Sequence, residues 1–115
     1  MNAESDSPIR NIRWVDRTAV AEVAGDIDAA HVPVFQQVIL SVLEEKPDRI
    51  IVDLSGVAYM DSSGLASLVK LLSRARRHEA ELYLVGMNEM IRGLFEITRL
   101  DGVFEIRDTE EEALG

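Results

Sequence analysis

Cysteine is absent from this chain, so it can form neither a disulfide framework nor a thiolate metal site. Aromatic residues are few (5%), and no apolar run approaches the length needed to span a bilayer. Basic residues are also scarce: 12 lysines and arginines against 21 aspartates and glutamates give a formal net charge of −9. This balance disfavours nucleic acid and anionic membranes, and we expect neither as a direct partner. It favours a partner with a basic surface.

Residues 1–8 are polar and acidic and lack the apolar core of a signal peptide, which predicts a flexible N-terminal tail. With neither a leader nor a membrane-spanning run, the expected location is cytoplasmic. The remainder, residues 9–115, has room for one domain with a hydrophobic core but not for two. Apolar residues make up 47% of the chain and charged residues 29%, which is typical of a globular protein.

The stretch from residue 50 to residue 72 combines a strand pattern with a helix pattern. Residues 50–54 form an apolar run rich in β-branched side chains, which predicts a strand buried on both faces. Further along, apolar residues recur at helical spacing, at Leu65, Leu68, Val69, Leu72 and Ala75. Asp61, Ser62, Ser63 and Gly64 lie between the two patterns, where the strand gives way to the helix.

This junction has two interpretations. The simpler one is a helix N-cap with a tight turn, for which aspartate, serine and glycine are favoured residues. The other is a place for an anion or a phosphate, because free backbone N–H groups and the positive end of the helix dipole meet there. Both can hold together, since one hydroxyl can cap the helix while the other is modified.

Ahead of this stretch, the pattern predicts two strands and a helix. Residues 9–14 and 18–23 are typical of an antiparallel pair near a sheet edge. The pattern breaks at residues 25–28, where Asp28 can cap the following helix. That helix ends near Pro47 and carries an apolar face made of Phe35, Val38, Ile39, Val42 and Leu43.

Beyond the first strand pattern, residues 55–60 are expected to form a loop, and the second helix to run to about His78. Residues 82–86 and 103–106 predict two more strands, and Thr109 with Glu112 has the spacing of a capping box for a terminal helix. Asn88 can cap a third helix whose inward residues are Met90, Ile91, Leu94 and Phe95. The alternation predicts a single α/β domain, a mixed sheet of about five strands flanked by about four helices.

Taken in this order, the motifs carry a family likeness over nearly the whole chain. The first motifs are residues 25–28, which contain a glycine and two aspartates, and the strand of residues 51–54. The next is residues 60–65, which contain an aspartate, two serines and a glycine. Residues 86–88, 94–95 and 100–101 complete the set. With these elements at these positions, the sequence resembles a STAS domain of the bacterial anti-sigma factor antagonist type. The likeness implies that residues 9–115 form one STAS domain.

The resemblance implies a regulatory protein rather than an enzyme, with no cofactor and no metal of its own. In such antagonists the unphosphorylated form binds an anti-sigma factor serine/threonine kinase and so frees the sigma factor. The kinase phosphorylates the serine directly after the motif aspartate, here Ser62, and the antagonist is then released. A PP2C-type phosphatase resets the switch.

The surface expected to contact the partner combines the start of the second helix with residues 25–28 and 55–60. The residues assigned to partner binding are Asp26, Asp28, Asp61, Ser63 and Gly64. Candidates for exposed apolar contacts are Ile12, Trp14 and Val57, whereas Met87 and Met90 are interpreted as core residues.

Two other functions stay open. A scaffold subunit of a stress-signalling or lipid-transport complex would bind its partner whether or not Ser62 is phosphorylated. A serine hydrolase would use Ser62 as nucleophile with His31 or His78 as base. The sequence argues against the hydrolase, because Asp61 precedes Ser62 and no Gly-x-Ser-x-Gly elbow surrounds it.

Overall fold

The computed structural model describes residues 7–115, which form an α/β domain. The strands are β1 (Ile9–Val15), β2 (Thr18–Ile27), β3 (Arg49–Met60), β4 (Glu81–Val85) and β5 (Glu105–Arg107). The helices are α1 (Val32–Leu43), α2 (Ser62–Arg77), α3 (Glu89–Ile97) and α4 (Glu110–Leu114), with a 3-10 turn at Leu100–Gly102. No helix in this described part of the chain is long and apolar enough to cross a membrane.

The strands form a sheet in the order β1-β2-β3-β4-β5. β1 is antiparallel to β2, and the other neighbours are parallel. The mixed sheet predicted from the sequence is therefore confirmed. Because β2, β3 and β4 run in the same direction, the segments that follow them leave the sheet at one edge. Asp28, Asp61 and Asn88 each belong to one of those segments.

The main core lies between the sheet and helices α1, α2 and α3. These helices insert fully buried side chains, among them Phe35, Ile39, Leu68, Leu71, Ile91 and Phe95. On the opposite face, Ala113 of α4 packs with Val20, Ile51 and Val85. Successive residues of a strand point to opposite faces, and for this reason the buried run of β3 serves both clusters.

β2 and β3 are longer than predicted. Ala24 pairs with Gly56, Asp26 with Tyr59 and Ile27 with Met60. The predicted loop at residues 55–60 is therefore wrong, because these residues belong to β3. The predicted break at residues 25–28 is also strand as far as Ile27, the last residue of β2. The pairing contains register shifts between Glu22 and Ala24 and between Gly25 and Asp26. Such irregularities disturb the alternation of buried and exposed residues, so the hydrophobic pattern does not predict this part of the strand.

Three residues lie on faces other than those predicted. In α2, Val69 is 42% exposed and Leu71 takes a place in the core. Met90 of α3, interpreted as a core residue, is 55% exposed. Val57, a candidate for exposed contact, is buried at 3%, because it lies on the helix-covered face of the extended β3. Trp14 is exposed as expected, whereas Ile12 is partly buried against the core.

The predicted helix caps have mixed outcomes. Asn88 accepts a hydrogen bond from the N–H of Ile91 (2.8 Å), and Thr109 with Glu112 forms the capping box of α4, so both predictions are confirmed. Asp28 does not cap α1, because the chain makes a further turn and the helix begins at Val32 with His31 as N-cap. Asp28 instead accepts from the N–H groups of Ala30 and His31, both at 3.1 Å, and so stabilises that turn.

The predicted N-terminal tail falls largely outside the described residues. Residues 1–6 are not among them. Ser7 and Pro8, which the prediction placed in the tail, are both buried. The carbonyl of Pro8 accepts a hydrogen bond from the N–H of Ala24 (2.9 Å), and this contact holds the start of the first strand against β2.

Candidate functional site

Asp61 is the N-cap of α2 and connects two parts of the sheet edge. It has extended backbone angles, and its Oδ1 accepts a hydrogen bond from the N–H of Gly64 (3.1 Å). Its Oδ2 accepts from the N–H of Ala29 (3.3 Å), just beyond β2. One carboxylate therefore fixes the start of α2 relative to the segment that follows β2. Because Asp61 serves as the cap, neither serine hydroxyl is needed for that role.

Ser62 is the first residue of α2, and its side chain is exposed. Within residues 7–115 its hydroxyl forms no hydrogen bond to another group, in contrast to the hydroxyl of Ser67 on the same helix, which donates to the carbonyl of Gly64. Ser63 is half-buried. The first N–H groups of a helix have no intrahelical acceptor, so the Ser62 hydroxyl lies beside free donors at the positive end of the dipole.

Gly64 is buried where α2 meets the ends of β2 and β3. A Cβ at this position would clash with the carbonyl oxygen of Ile27 and lie 2.6 Å from Cγ of Met60. Only glycine therefore allows the first turn of α2 to approach the sheet this closely. Packing alone explains why a glycine stands here, and its assignment to partner binding stays a prediction.

Asp28 and His31 form a close pair on the segment between β2 and α1. The ring Nδ1 of His31 lies 2.6 Å from Oδ1 of Asp28. This hydrogen bond, helped by the backbone N–H groups of His31 and Ala30, lowers the pKa of the Asp28 carboxyl below its ordinary value of 3.8. Asp28 is therefore a carboxylate at neutral pH.

The structure brings the predicted acidic residues to one edge of the sheet. Asp26 is the penultimate residue of β2 and is exposed, and Asp28 and Asp61 follow the ends of β2 and β3. Among residues 7–115, neither Asp26 nor Asp61 forms an ion pair with a lysine or an arginine. The surface around Ser62 therefore carries unneutralised negative charge, which suits a basic partner.

A family model describes this arrangement of elements as a STAS domain and matches residues 10–113. The chain belongs to the STAS domain family. The resemblance inferred from the sequence motifs is thereby confirmed, and the described sheet and helices are those of this STAS domain.

Several similar proteins are described as anti-sigma factor antagonists. An anti-sigma-B factor antagonist of Listeria monocytogenes is 38% identical over 94 residues, covering 81% of this STAS domain chain and 82% of that protein. The crystal structure of an anti-sigma factor antagonist from Mycobacterium paratuberculosis has a TM-score of 0.85 at 28% identity, covering 95% of this chain and 92% of that one. The Bacillus cell fate determinant SpoIIAA in its phosphorylated form has a TM-score of 0.70 at 23% identity, covering 90% and 95%, and shares the fold.

The two histidines of this STAS domain lie in different surroundings. His78 is the C-cap of α2, at the far end of the 16-residue helix that Ser62 begins, and a helix of that length spans about 24 Å. The ring of His31 contacts Asp28. The described residues thus show no serine–histidine hydrogen bond of the kind that a hydrolase nucleophile uses.

The structure also reveals exposed apolar side chains around the end of β3 that the sequence did not indicate. Tyr59 is 46% exposed beside Asp26 on the extended strand pair, and Ile97 of α3 is 84% exposed. Sequence pattern could not have identified them, because Tyr59 falls in the predicted loop and Ile97 continues an apolar helix pattern from Leu94.

Proposed function

We propose that this STAS domain is an anti-sigma factor antagonist controlled by phosphorylation of Ser62. The unphosphorylated domain binds an anti-sigma factor kinase in the cytoplasm and so releases the sigma factor. The phosphorylated domain does not bind. The observation that carries this proposal is the exposed hydroxyl of Ser62, which forms no hydrogen bond within residues 7–115 and lies at the start of a helix that Asp61 already caps.

The position of Ser62 suits a kinase substrate. An acceptor hydroxyl must be accessible to a kinase active site, and in the described part of the chain no hydrogen bond of the Ser62 hydroxyl has to be broken for this. The kinase transfers the γ-phosphoryl group of its bound ATP: a bond forms between Oγ and the phosphorus, ADP leaves, and a base of the kinase takes the hydroxyl proton. Any magnesium in this step belongs to the kinase and its ATP.

The fold tolerates a phosphate at this position. Phosphorylation adds roughly −1.5 to −2 charges, and the dipole and free N–H groups of the first turn of α2 offset part of that charge. The relatives support this step: a Bacillus protein of the same fold has been described in a phosphorylated form. The domain is thus expected to keep its structure through the switch.

A bound partner experiences the phosphate differently. A hydroxyl becomes a bulky dianion on a surface that already contains Asp26, Asp28 and Asp61. If this surface is buried against the kinase, the added charge must lose its water and is repelled by kinase carboxylates, such as those that hold magnesium. A loss of about 3 kcal/mol is enough to weaken binding about a hundredfold.

Ser63 and Gly64 have supporting parts in this proposal. Ser63 is half-buried next to Ser62 and lines the contact surface. Gly64 allows the first turn of α2 to pack closely against the sheet. The exposure of Ser62 also makes its phosphate accessible to a PP2C-type phosphatase, which returns the domain to its binding form.

The deciding experiment is mass spectrometry of the intact protein with peptide mapping. The domain is incubated with ATP, magnesium and each candidate anti-sigma factor kinase of its organism. We expect one added phosphoryl group of about 80 Da on Ser62, with Ser63→Ala modified as well and Ser62→Ala not modified. A stable complex without modification would support a scaffold function instead, and the absence of both complex and modification with every candidate would contradict the proposal.

A further inference from the structure

An apolar groove lies between the end of β3 and helix α3. It has a volume of about 320 Å³ and is lined by Met60, Glu89, Met90, Ile91, Leu94 and Ile97. Ile97 at 84% and Met90 at 55% are the two most exposed large hydrophobic residues in the described part of the chain, and both line this groove. Single exposed apolar residues are common on protein surfaces, but exposed residues grouped along one groove are typical of an interaction site.

The groove reaches the end of the strand that precedes Ser62. Met60, one of its lining residues, is the last residue of β3 and directly precedes Asp61. The side chain of Met60 also packs closely against Gly64, since a Cβ on that glycine would lie 2.6 Å from Cγ of Met60. A protein bound over Ser62 therefore has this apolar surface next to it.

A hydrogen bond fixes helix α3, which forms one side of the groove, to strand β3. Asn88 caps α3 through its Oδ1, and its Nδ2 donates to the carbonyl of Val57 in β3 (3.1 Å). One side chain thus fixes the start of α3 to the same strand that ends at Met60. A preformed apolar surface loses little conformational entropy when a partner binds.

We propose that this groove is the second part of the kinase-binding surface, where it takes an apolar side chain from a basic face of the anti-sigma factor kinase. This inference rests on the proposed function. The basic character follows from charge complementarity, because Glu89 lies in the groove and Asp26 and Asp61 carry no paired cation in the described chain. The groove supplies contact that phosphorylation leaves unchanged, and Ser62 supplies the contact that phosphorylation removes.

The test uses the double variant Met90→Gln with Ile97→Ser, and Ile97→Ser alone in case the first substitution disturbs folding. The matched control is Val103→Ser, which changes a 46% exposed apolar residue in a separate groove beside Leu72 and Arg76, towards the other end of α2. Each variant is measured by its Kd for the kinase that phosphorylates Ser62 and by the dependence of the phosphorylation rate on its concentration.

We expect the groove variants to bind the kinase at least about tenfold more weakly and to raise KM by a similar factor with kcat unchanged. The control should stay within about twofold of the original chain. If the groove variants bind the kinase with unchanged affinity while Ser62→Asp still binds weakly, the groove proposal is wrong and the proposed function stands.

Two further outcomes also count against the groove. If the original chain self-associates and Ile97→Ser makes it monomeric without changing kinase affinity, the groove is an interface between copies. If the original chain neither binds nor is phosphorylated by any candidate kinase, the proposed function itself fails, and the groove proposal with it.

Discussion

The carboxylate of Asp61 accepts a hydrogen bond from the N–H of Gly64, so Asp61 rather than Ser62 caps helix α2. In the proposed switch, fold stability and phosphorylation therefore depend on different residues. Asp61 caps the helix, Gly64 allows its close approach to the sheet, and the side chain of Ser62 is exposed. Substitutions at the three positions should therefore have different effects.

Ser62→Ala should fold like the original chain and bind the kinase whether or not ATP is present. Because the Ser62 hydroxyl forms no hydrogen bond with any of the described residues 7–115, its removal should change the free energy of unfolding by less than about 0.5 kcal/mol. Ser62→Asp should also fold but bind poorly, since it places a negative charge at the same point. Kd values measured by titration calorimetry check this, and equal affinity of the two variants would argue against the switch.

Asp61→Ala should destabilise the domain by about 1–2 kcal/mol, because it removes the cap of α2 and the hydrogen bond to Ala29. Asp61→Asn is the matched control. It keeps an oxygen for the N–H of Gly64, but its Nδ2 donates and cannot accept from Ala29. Asp61→Asn should therefore lose less stability than Asp61→Ala. Urea unfolding measures both, and a stability of Asp61→Ala equal to that of the original chain would refute this role of the carboxylate.

Gly64→Ala should lower the free energy of unfolding by about 1–3 kcal/mol, since its methyl group would clash with the carbonyl of Ile27 and press on Met60. Gly93→Ala provides the contrast. Gly93 lies inside α3 and a Cβ there would meet no atom within 4 Å, so alanine should stabilise the domain by about 0.5–1 kcal/mol. Thermal unfolding of the two variants should therefore move in opposite directions.

The pair of Asp28 and His31 predicts a dependence of stability on acid pH. The hydrogen bond from His31 lowers the folded-state pKa of Asp28 below 3.8, so the pair stabilises the fold above that pH. This contribution is lost as the pH falls through the folded-state pKa. Asp28→Asn should be less stable than the original chain near neutral pH, and the difference should disappear in stronger acid.

NMR titration of the Asp28 carboxyl carbon isolates the cause of that shift. In the original chain its midpoint should lie below 3.8, and in His31→Ala it should rise towards that value because the hydrogen bond to His31, the largest cause of the shift, is gone. An unchanged Asp28 midpoint would show that His31 does not control this carboxyl.

Local features of the sequence were enough to predict much of this fold. The β-branched run of residues 50–54, the cap at Asn88 and the capping box at Thr109 depend on neighbours within a few residues, and the structure confirms all three. The junction around Ser62 was located for the same reason, because a strand pattern, an aspartate and a helix pattern follow one another directly along the chain.

Tertiary contacts decided the rest. β2 extends to Ile27 and β3 to Met60 because the two strands pair with each other along this length. Their pairing includes register shifts, which a local sequence pattern does not reveal. The exposure of Met90 and Ile97 depends on how α3 is anchored to β3 by Asn88, a contact between residues 31 positions apart. Local hydrogen bonding and hydrophobic spacing therefore determined which elements form and where the serine lies. Long-range packing determined which apolar side chains stay at the surface beside it, since burial depends on contacts between residues distant in sequence.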